Sequence, residues 1–440
     1  MQRALISTLA VVAVVLAATI GGVAAPAVSS DPSTEVASAV PPPADPTPGP
    51  ARGAGAELVW GYDATPPQAG WTKVDLGETY ADPVYGSLVR RITTAEGTRF
   101  DRNPYSRRQA ENADGTFFFS YHGDAAYHVY NRETLELVRS LDIHPDADPQ
   151  WHPSDPEIIR HIAGPNSHVG DLRLYETDVA SGTSGVVADL TARIQAVLPD
   201  ALYMYDRAEG SPSASGDLYA WLVHNSDEEI IGMVAYDLAA DEILGLTGSL
   251  RSAPDSLDWV SMSPTGTRVL AGYRDGTFAY DLDFTNELRL SETGEHSDIA
   301  IDSHGRDAYV HIDFSAGVNG GWLLSTDLET GEHTRVFDLY DDANTSVHVS
   351  GKGYNRPGWV VVSTYNCKEP GAWSCHKVMA VELAASGRVL NLAHTYNCGD
   401  SYWTETHASV NRDFTRVYFN SDGGSCGIDA EMMEITMPEL

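Results

Sequence analysis

Short runs of alternating apolar and polar residues, broken by Gly, Asp, Asn and Pro, follow one another from residue 58 to the end of the chain. A period of two residues is typical of β-strands with one buried face, and the breaks are typical of turns. Only residues 190–198 have the spacing of a helix, and that segment is short. The pattern therefore predicts an all-β protein.

The strand pattern repeats at roughly fifty residues, which is typical of solenoids and propellers. Each unit is expected to contain a strand, a turn with Gly, Asp or Pro, a second and a third strand, and a fourth strand at the edge. The segments that begin the seven units are residues 109–115, 148–156, 209–216, 259–266, 296–305, 347–357 and 403–420. Four-stranded units at this spacing predict propeller blades, so we expect a seven-bladed β-propeller over residues 58–440.

The last unit lacks a fourth strand because the sequence ends there. Residues 87–93 resemble the fourth strand of the first unit, residues 137–141. We expect this N-terminal strand to complete the last blade, which closes the ring and removes an unpaired strand edge.

The N-terminus is typical of an exported protein. In residues 1–25, Arg3 precedes an apolar run and small residues, the pattern of a cleaved signal peptide. Residues 26–57 are rich in Pro, Ala, Ser and Gly and are expected to form a disordered linker. No apolar run is long enough for a membrane span. These features predict a secreted or periplasmic protein, which we expect to be a monomer.

The composition excludes some partners and predicts disulfides. A net charge of -34 opposes binding to nucleic acid or anionic membranes, and any anionic ligand needs a local Arg, Lys or metal. An even number of cysteines in an exported chain predicts disulfides. Among the pairings of these cysteines, we favour Cys367–Cys375 and Cys398–Cys426 over a zinc site, because their spacing is irregular.

The innermost strand of each propeller blade lines a central channel, so residues at the strand starts should meet at one mouth. His296, His348 and His407 occupy equivalent places in three successive units, and Glu405 is close to the last. Imidazoles with an adjacent carboxylate suit a divalent transition metal. For any single histidine, a polar residue bonded to channel water is the alternative interpretation.

Further residues at these strand starts are candidates for binding a substrate, and tryptophans can stack on sugar rings. They are Arg107, Arg108, Gln109, Trp151, Glu209, Trp259 and Trp403. A tryptophan in a propeller is more often packed between blades. Nucleophile-elbow, P-loop, dinucleotide-binding and H-E-x-x-H motifs are absent from the sequence.

The repeat, His296 and a His-x-Ser-x-x-x-Asp segment at residues 407–413 together resemble the β-propeller polysaccharide lyases, the oligogalacturonate lyase and ulvan lyase group. In oligogalacturonate lyases, an inner-strand histidine and a later glutamine and two histidines hold a manganese ion. His296 resembles the first ligand and His407 the last. Of the other two later ligands, the second histidine is replaced here by Glu405 and the glutamine by Tyr402.

The resemblance implies an exported lyase that cleaves an anionic, uronate-containing polysaccharide or oligosaccharide by β-elimination. This reaction needs a group that neutralises the carboxylate, a base and an acid. The catalytic candidates are His296, His348, Tyr402 and Arg207. A divalent metal (Mn, Ca or Zn) held by His296, His348, Glu405 and His407 is one option for neutralisation.

Two other functions stay open from the sequence. One is a non-catalytic propeller that binds a glycan or a cell-envelope partner. The other is a hydrolase that uses paired carboxylates such as Glu209 and Asp258.

Overall fold

The computed structural model divides the chain into two compact units, residues 1–48 and 49–440. All residues whose structure is described lie in the second unit. They are residues 57–62, 73–163, 171–206, 209–251, 256–292, 296–315, 317–339, 345–367, 372–398, 402–424 and 430–440. The predicted signal peptide, nearly all of the predicted linker, Arg207 and Cys426 lie outside these ranges.

The described part of the chain is built almost entirely of β-strands. In its first half these are β1 (Val59–Trp60), β2 (Thr79–Ala81), β3 (Leu88–Arg91), β4 (Phe100–Arg102), β5 (Phe117–His122), β6 (Ala126–Asn131), β7 (Leu137–Ser140), β8 (Gln150–Trp151), β9 (Ile158–Ile162), β10 (Arg173–Asp178), β11 (Ser184–Asp189), β12 (Tyr203–Tyr205), β13 (Leu218–His224), β14 (Ile230–Asp237) and β15 (Glu242–Thr247). In its second half they are β16 (Leu257–Met262), β17 (Val269–Tyr273), β18 (Gly276–Tyr280), β19 (Leu288–Arg289), β20 (Ser297–Ile301), β21 (Asp307–Ile312), β22 (Trp322–Asp327), β23 (His333–Asp338), β24 (Ser346–Ser350), β25 (Trp359–Tyr365), β26 (Lys377–Glu382), β27 (Val389–His394), β28 (Ser409–Val410), β29 (Arg416–Ser421) and β30 (Ala430–Thr436).

Within the described ranges, the longer helical elements are α1 (Thr191–Gln195), inside the segment predicted as a helix, and a 3-10 helix at Tyr402–Thr404. Neither is long and apolar enough to cross a membrane, and no other helix among the described residues is. The prediction of an all-β protein is therefore confirmed.

The strands form several small sheets, none of them closed within the described ranges. Four sheets have four strands each in chain order: β8–β11, β12–β15, β16–β19 and β20–β23. A fifth contains β24–β27, with β1 added beside β27. Neighbouring strands within these sheets are antiparallel and adjacent in sequence, which matches the predicted repeating unit.

The remaining, nine-stranded sheet joins the two ends of the described chain. Its strand β3 pairs antiparallel with β30, with Val89 opposite Ile435. This is the N-terminal strand that was predicted to complete the last unit. Strand β30 also pairs parallel with β4, which begins the first unit. The start and end of the repeat are thus linked by backbone hydrogen bonds.

The core lies between successive sheets. One apolar cluster joins Val310 of β21 to Val362 of β25, and another joins Leu222 of β13 to Val260 of β16. All four side chains are fully buried. Burying apolar surface between sheets stabilises the fold by about 25 cal/mol per Å². The sheets therefore pack face to face in chain order, and their first strands end up close to one another.

The predicted disulfide Cys367–Cys375 is present, with Cα atoms 5.4 Å apart. Cys398 is also disulfide-bonded. Its predicted partner, Cys426, lies outside the described residues.

His311 of β21 gives the fold a testable pH dependence. It is 2% exposed, and its burial lowers its pKa to about 4. The unfolded chain takes up this proton near pH 6.5, so the stability due to neutral His311 is complete above that pH and lost as the pH falls towards 4. As the pH falls from 6.5 to 4, the free energy of unfolding of His311→Gln is expected to decrease by about 3 kcal/mol less than that of the wild type.

Urea unfolding at a series of pH values measures this effect. The matched control is His304→Gln, because the His304 side chain is 75% exposed. Equal pH slopes for the wild type and His311→Gln would show that burial does not exclude the proton.

Candidate functional site

Three histidines and one carboxylate meet where the first strands of neighbouring sheets begin. His296 precedes β20, His348 lies in β24, and Glu405 and His407 precede β28. The ring centre of His348 lies 5.1 Å from that of His296 and 4.5 Å from that of His407. One carboxylate oxygen, Oε2 of Glu405, lies 2.9 Å from Nε2 of His348 and 3.2 Å from Nε2 of His407. The structure thus brings together side chains from three units.

Two asparagines hold the backbone that carries Glu405 and His407. Asn103, directly after β4, donates its Nδ2–H to the carbonyl oxygen of His407 at 2.6 Å. Asn420 of β29 donates its Nδ2–H to the carbonyl oxygen of Glu405 at 3.2 Å. His407 has a φ of +40°, a left-handed conformation that costs free energy in a non-glycine residue. These side-chain hydrogen bonds help to maintain it.

Arg102, at the end of β4, approaches the same histidine from the other side. Its Nη1 lies 2.8 Å from Nδ1 of His407. A guanidinium only donates hydrogen bonds, so Nδ1 of His407 accepts this one. In neutral His407 the proton therefore lies on Nε2, the nitrogen that faces Glu405. Arg102 and Glu405 together fix the tautomer of this imidazole.

Burial sets the charge of the two inner histidines. His348 is 1% exposed and His407 0% exposed. Burial lowers the pKa of His348 well below its usual value, and the charges of His296 and Arg107 lower it further. Burial also lowers the pKa of His407, with His348 and Arg102 adding to the shift while Glu405 opposes it. Both imidazoles are therefore neutral at neutral pH.

Arg107, Arg108 and Trp259 are buried, and Glu209 is partly exposed. Arg107 and Arg108 are each 2% exposed. Nη1 of Arg107 lies 3.2 Å from a carboxylate oxygen of Glu209, and its guanidinium covers the buried ring of Trp259 at 4.5 Å. Nη2 of Arg108 lies 2.9 Å from Oδ1 of Asp148. These contacts pair both cations within the protein and give Trp259 a packing role.

Gln109 and Trp151 line a different, small cavity of about 30 Å³, together with Lys352. Nε2 of Gln109 donates to the carbonyl oxygen of Lys352 at 2.8 Å. The Trp151 indole is 8% exposed and donates to the carbonyl oxygen of Ala110 at 2.9 Å. The third candidate tryptophan, Trp403, lies next to the arginine that contacts His407, with its ring centre 5.0 Å from the Arg102 guanidinium.

Sequence reasoning missed three residues of the site: Arg102, Tyr105 and Tyr365. The Tyr105 ring centre lies 5.0 Å from that of His407, and the Tyr365 ring stacks on His348 at 4.9 Å. Tyr365 had a usable sequence signal. It ends the strand that pairs with β24, opposite Ser346, so the register of that hairpin places it near His348.

No protein-family model and no curated protein matches this chain. Many solved structures do match, and two of them are oligogalacturonate lyases. An oligogalacturonate lyase from Vibrio parahaemolyticus is 14% identical, with a TM-score of 0.56, over 82% of this chain and 96% of its own. An oligogalacturonate lyase in complex with manganese is 15% identical, with a TM-score of 0.56, over 87% of this chain and 98% of its own. The likeness is one of fold.

Two groups of histidine and carboxylate side chains have the donor atoms that divalent metals bind. Donor atoms of His348, Glu405 and His407 all lie within 4.8 Å of one another, as do those of a second group, His122, Asp124 and His128. Ligands of a tetrahedral metal with bonds of 2.0–2.1 Å lie about 3.3 Å apart, close to the spacing around Glu405. In donor type and spacing, both groups could hold a divalent metal.

The hydrogen bonding of His407 does not fit such a metal. A histidine that binds a metal usually donates its other ring N–H to an acceptor. Nδ1 of His407 instead faces the donor Arg102 at 2.8 Å, so Nε2 carries the proton. Metal binding through Nε2 and the Arg102 contact therefore exclude each other. As arranged, the side chains form a hydrogen-bonded centre.

The change Arg102→Gln is expected to raise the affinity for Zn²⁺ by about tenfold or more, the scale of effects from residues around metal ligands. The glutamine oxygen can accept a hydrogen bond from Nδ1–H of His407, which frees Nε2, and a positive charge is removed. Calorimetric titration with Zn²⁺ measures the change, with His122→Ala in every protein to remove the second group.

Arg99→Gln is the matched control, because Arg99 is exposed and precedes the same strand. An unchanged Zn²⁺ affinity in Arg102→Gln would contradict the assigned tautomer.

Proposed function

We propose that this chain is an exported polysaccharide lyase that cleaves a uronate-containing glycan by β-elimination. One observation carries the proposal: a buried guanidinium, a cluster of imidazoles and a partly exposed tyrosine meet at one place. These are the groups that neutralise a carboxylate, remove a proton and protonate a leaving group. The fold shared with oligogalacturonate lyases supports the same function.

Exposure distinguishes the residues that can touch a glycan from those that support them. Tyr402 is 52% exposed and His296 is partly exposed, whereas His348 and His407 are buried. We therefore assign the acid role to Tyr402 and the base role to His296. Glu405 accepts hydrogen bonds from His348 and His407 and serves to position them.

In the proposed reaction, His296 takes the proton from the carbon beside the uronate carboxylate. The electron pair of that C–H bond forms a carbon–carbon double bond, and the bond to the 4-linked oxygen breaks. Tyr402 donates its proton to that oxygen. Metal assistance, which the resemblance implies, would require His407 to release Arg102.

We also propose the number of propeller blades and the cellular location of the protein. The nine-stranded sheet divides at its parallel β4–β30 pair into a first and a last unit. Together with the other sheets, this supports a seven-bladed propeller over residues 58–440. Residues 1–25 are proposed as a signal peptide and 26–57 as a linker. The Cys367–Cys375 disulfide supports a secreted or periplasmic location, because disulfides persist in oxidising compartments.

Incubation of the mature chain with a panel of uronic polymers tests the function. Elimination creates an unsaturated sugar, so ultraviolet absorbance is expected to rise with at least one uronic polymer and with no neutral one. Binding of a glycan or envelope component without such a product would favour a non-catalytic propeller instead.

A further inference from the structure

Arg102 is a buried cation without an anionic partner among the described residues. The residue is 3% exposed, and its Nε–H has no hydrogen-bond acceptor in the described part of the chain. The arginines that follow in the chain differ, because Arg107 pairs with Glu209 and Arg108 pairs with Asp148. The chain has a net charge of -34, so carboxylates are common in it. A buried arginine without a carboxylate partner is therefore unexpected in this protein.

The surroundings of Arg102 compensate its charge only in part. Four aromatic rings lie around the guanidinium, at distances from 5.0 Å for Trp403 to 5.9 Å for Tyr121. Their faces attract a cation, and Nη1 is bonded to His407. The Nε–H is still left without an acceptor, although a buried polar group normally has one. Burial also lowers the pKa of Arg102, as expected for a cation without an anion.

We propose that Arg102 binds the carboxylate group of a uronate unit in the glycan. The identification of the ligand rests on the proposed function. A carboxylate offers two coplanar oxygens, which match the parallel N–H groups along the Nε edge of a guanidinium. The ligand thus supplies the missing acceptor and the missing negative charge.

The exposure of the surrounding rings indicates how the ligand reaches Arg102. Phe100 is buried and Trp403 and Tyr121 are partly exposed, whereas Tyr402 is 52% exposed. The Tyr402 side chain is therefore the one that turns aside to admit a carboxylate. A uronate held at Arg102 has the Tyr402 hydroxyl beside it. Arg102 then neutralises the carboxylate, whereas the arginines singled out from the sequence were Arg107, Arg108 and Arg207.

Binding of the monosaccharides galacturonate and glucuronate, followed by NMR titration, tests this proposal. These sugars contain no glycosidic bond, so no turnover intervenes. The wild type is expected to bind them more tightly than galactose and glucose. Arg102→Gln is expected to weaken uronate binding by about 10- to 100-fold, the scale of hydrogen bonds to a charged group. Arg99→Gln is expected to bind as the wild type does.

Equal affinity of the wild type for uronates and neutral sugars, or wild-type affinity in a folded Arg102→Gln variant, would overturn the proposal. A crystal of the wild-type protein soaked with galacturonate provides a test that needs no substitution. The carboxylate is expected at Nε of Arg102, and a carboxylate bound elsewhere contradicts the assignment.

These experiments separate the proposal from the proposed function. Uronate binding that depends on Arg102, without any unsaturated product, would leave this inference standing and refute the lyase. An unsaturated product together with Arg102-independent binding would do the reverse.

Discussion

Changing Tyr402 to Phe is expected to lower lyase activity by about 10²- to 10⁴-fold, the usual contribution of a general acid. The substitution removes only the hydroxyl and keeps the ring that lies 5.4 Å from the Arg102 guanidinium. Because Tyr402 is 52% exposed, little stability should be lost. Initial rates from ultraviolet absorbance, with melting temperatures measured in parallel, give the result.

Tyr121→Phe is the matched control for this prediction. The Tyr121 ring lies 5.9 Å from the same guanidinium, but its hydroxyl has no role in the proposed chemistry. Its activity is expected to stay close to that of the wild type. Similar activities for Tyr402→Phe and Tyr121→Phe would show that the hydroxyl of Tyr402 is not the acid.

Glu111→Ala is expected to destabilise the protein by about 3–5 kcal/mol, the cost of leaving a buried charge without its partner. Glu111 is 5% exposed and joins the start of the repeat to its end. Its Oε2 accepts a hydrogen bond from Nε of Arg416 at 2.6 Å and another from the Tyr418 hydroxyl. Removing the carboxylate leaves both donors unpaired where β29 packs against the first unit.

Urea unfolding of Glu111→Ala and Glu329→Ala makes the comparison. Glu329 also pairs with an arginine, Arg268, but its side chain is 56% exposed. The loss of an exposed ion pair is expected to cost less than about 1 kcal/mol. Equal effects of the two substitutions would mean that the contact between the first and last units contributes little to stability.

The strand pattern predicted much of the fold because burial of one strand face imposes alternation on the sequence. The N-terminal segment 87–93 contains β3, which pairs with β30 as predicted. The third unit differs from the prediction. Its sheet begins with β12 (Tyr203–Tyr205) rather than at residues 209–216. A strand of three residues carries too little alternation to be recognised, whereas the Ser, Pro and Gly residues that follow it resemble the start of a unit.

The histidines of the site could be predicted because equivalent positions of a repeat meet near its centre. Arg102 could not be predicted in this way, since its contact with His407 joins residues 305 positions apart. It depends on β4 pairing with the last strand of the chain. A sequence also shows which residues are charged, but it does not show which of them form ion pairs with one another. Arg107 and Arg108 were therefore predicted to bind substrate, and the structure places both in buried ion pairs.

We propose that the chain breaks a glycosidic bond by elimination at the centre formed by Arg102, His296 and Tyr402. The most direct test is digestion of a uronic polymer in water enriched in heavy oxygen, followed by mass spectrometry of the products. Elimination adds no water, so we expect unsaturated products without heavy oxygen, formed by the wild type and not at a comparable rate by Tyr402→Phe. Saturated products that carry heavy oxygen would show hydrolysis and would contradict cleavage by elimination.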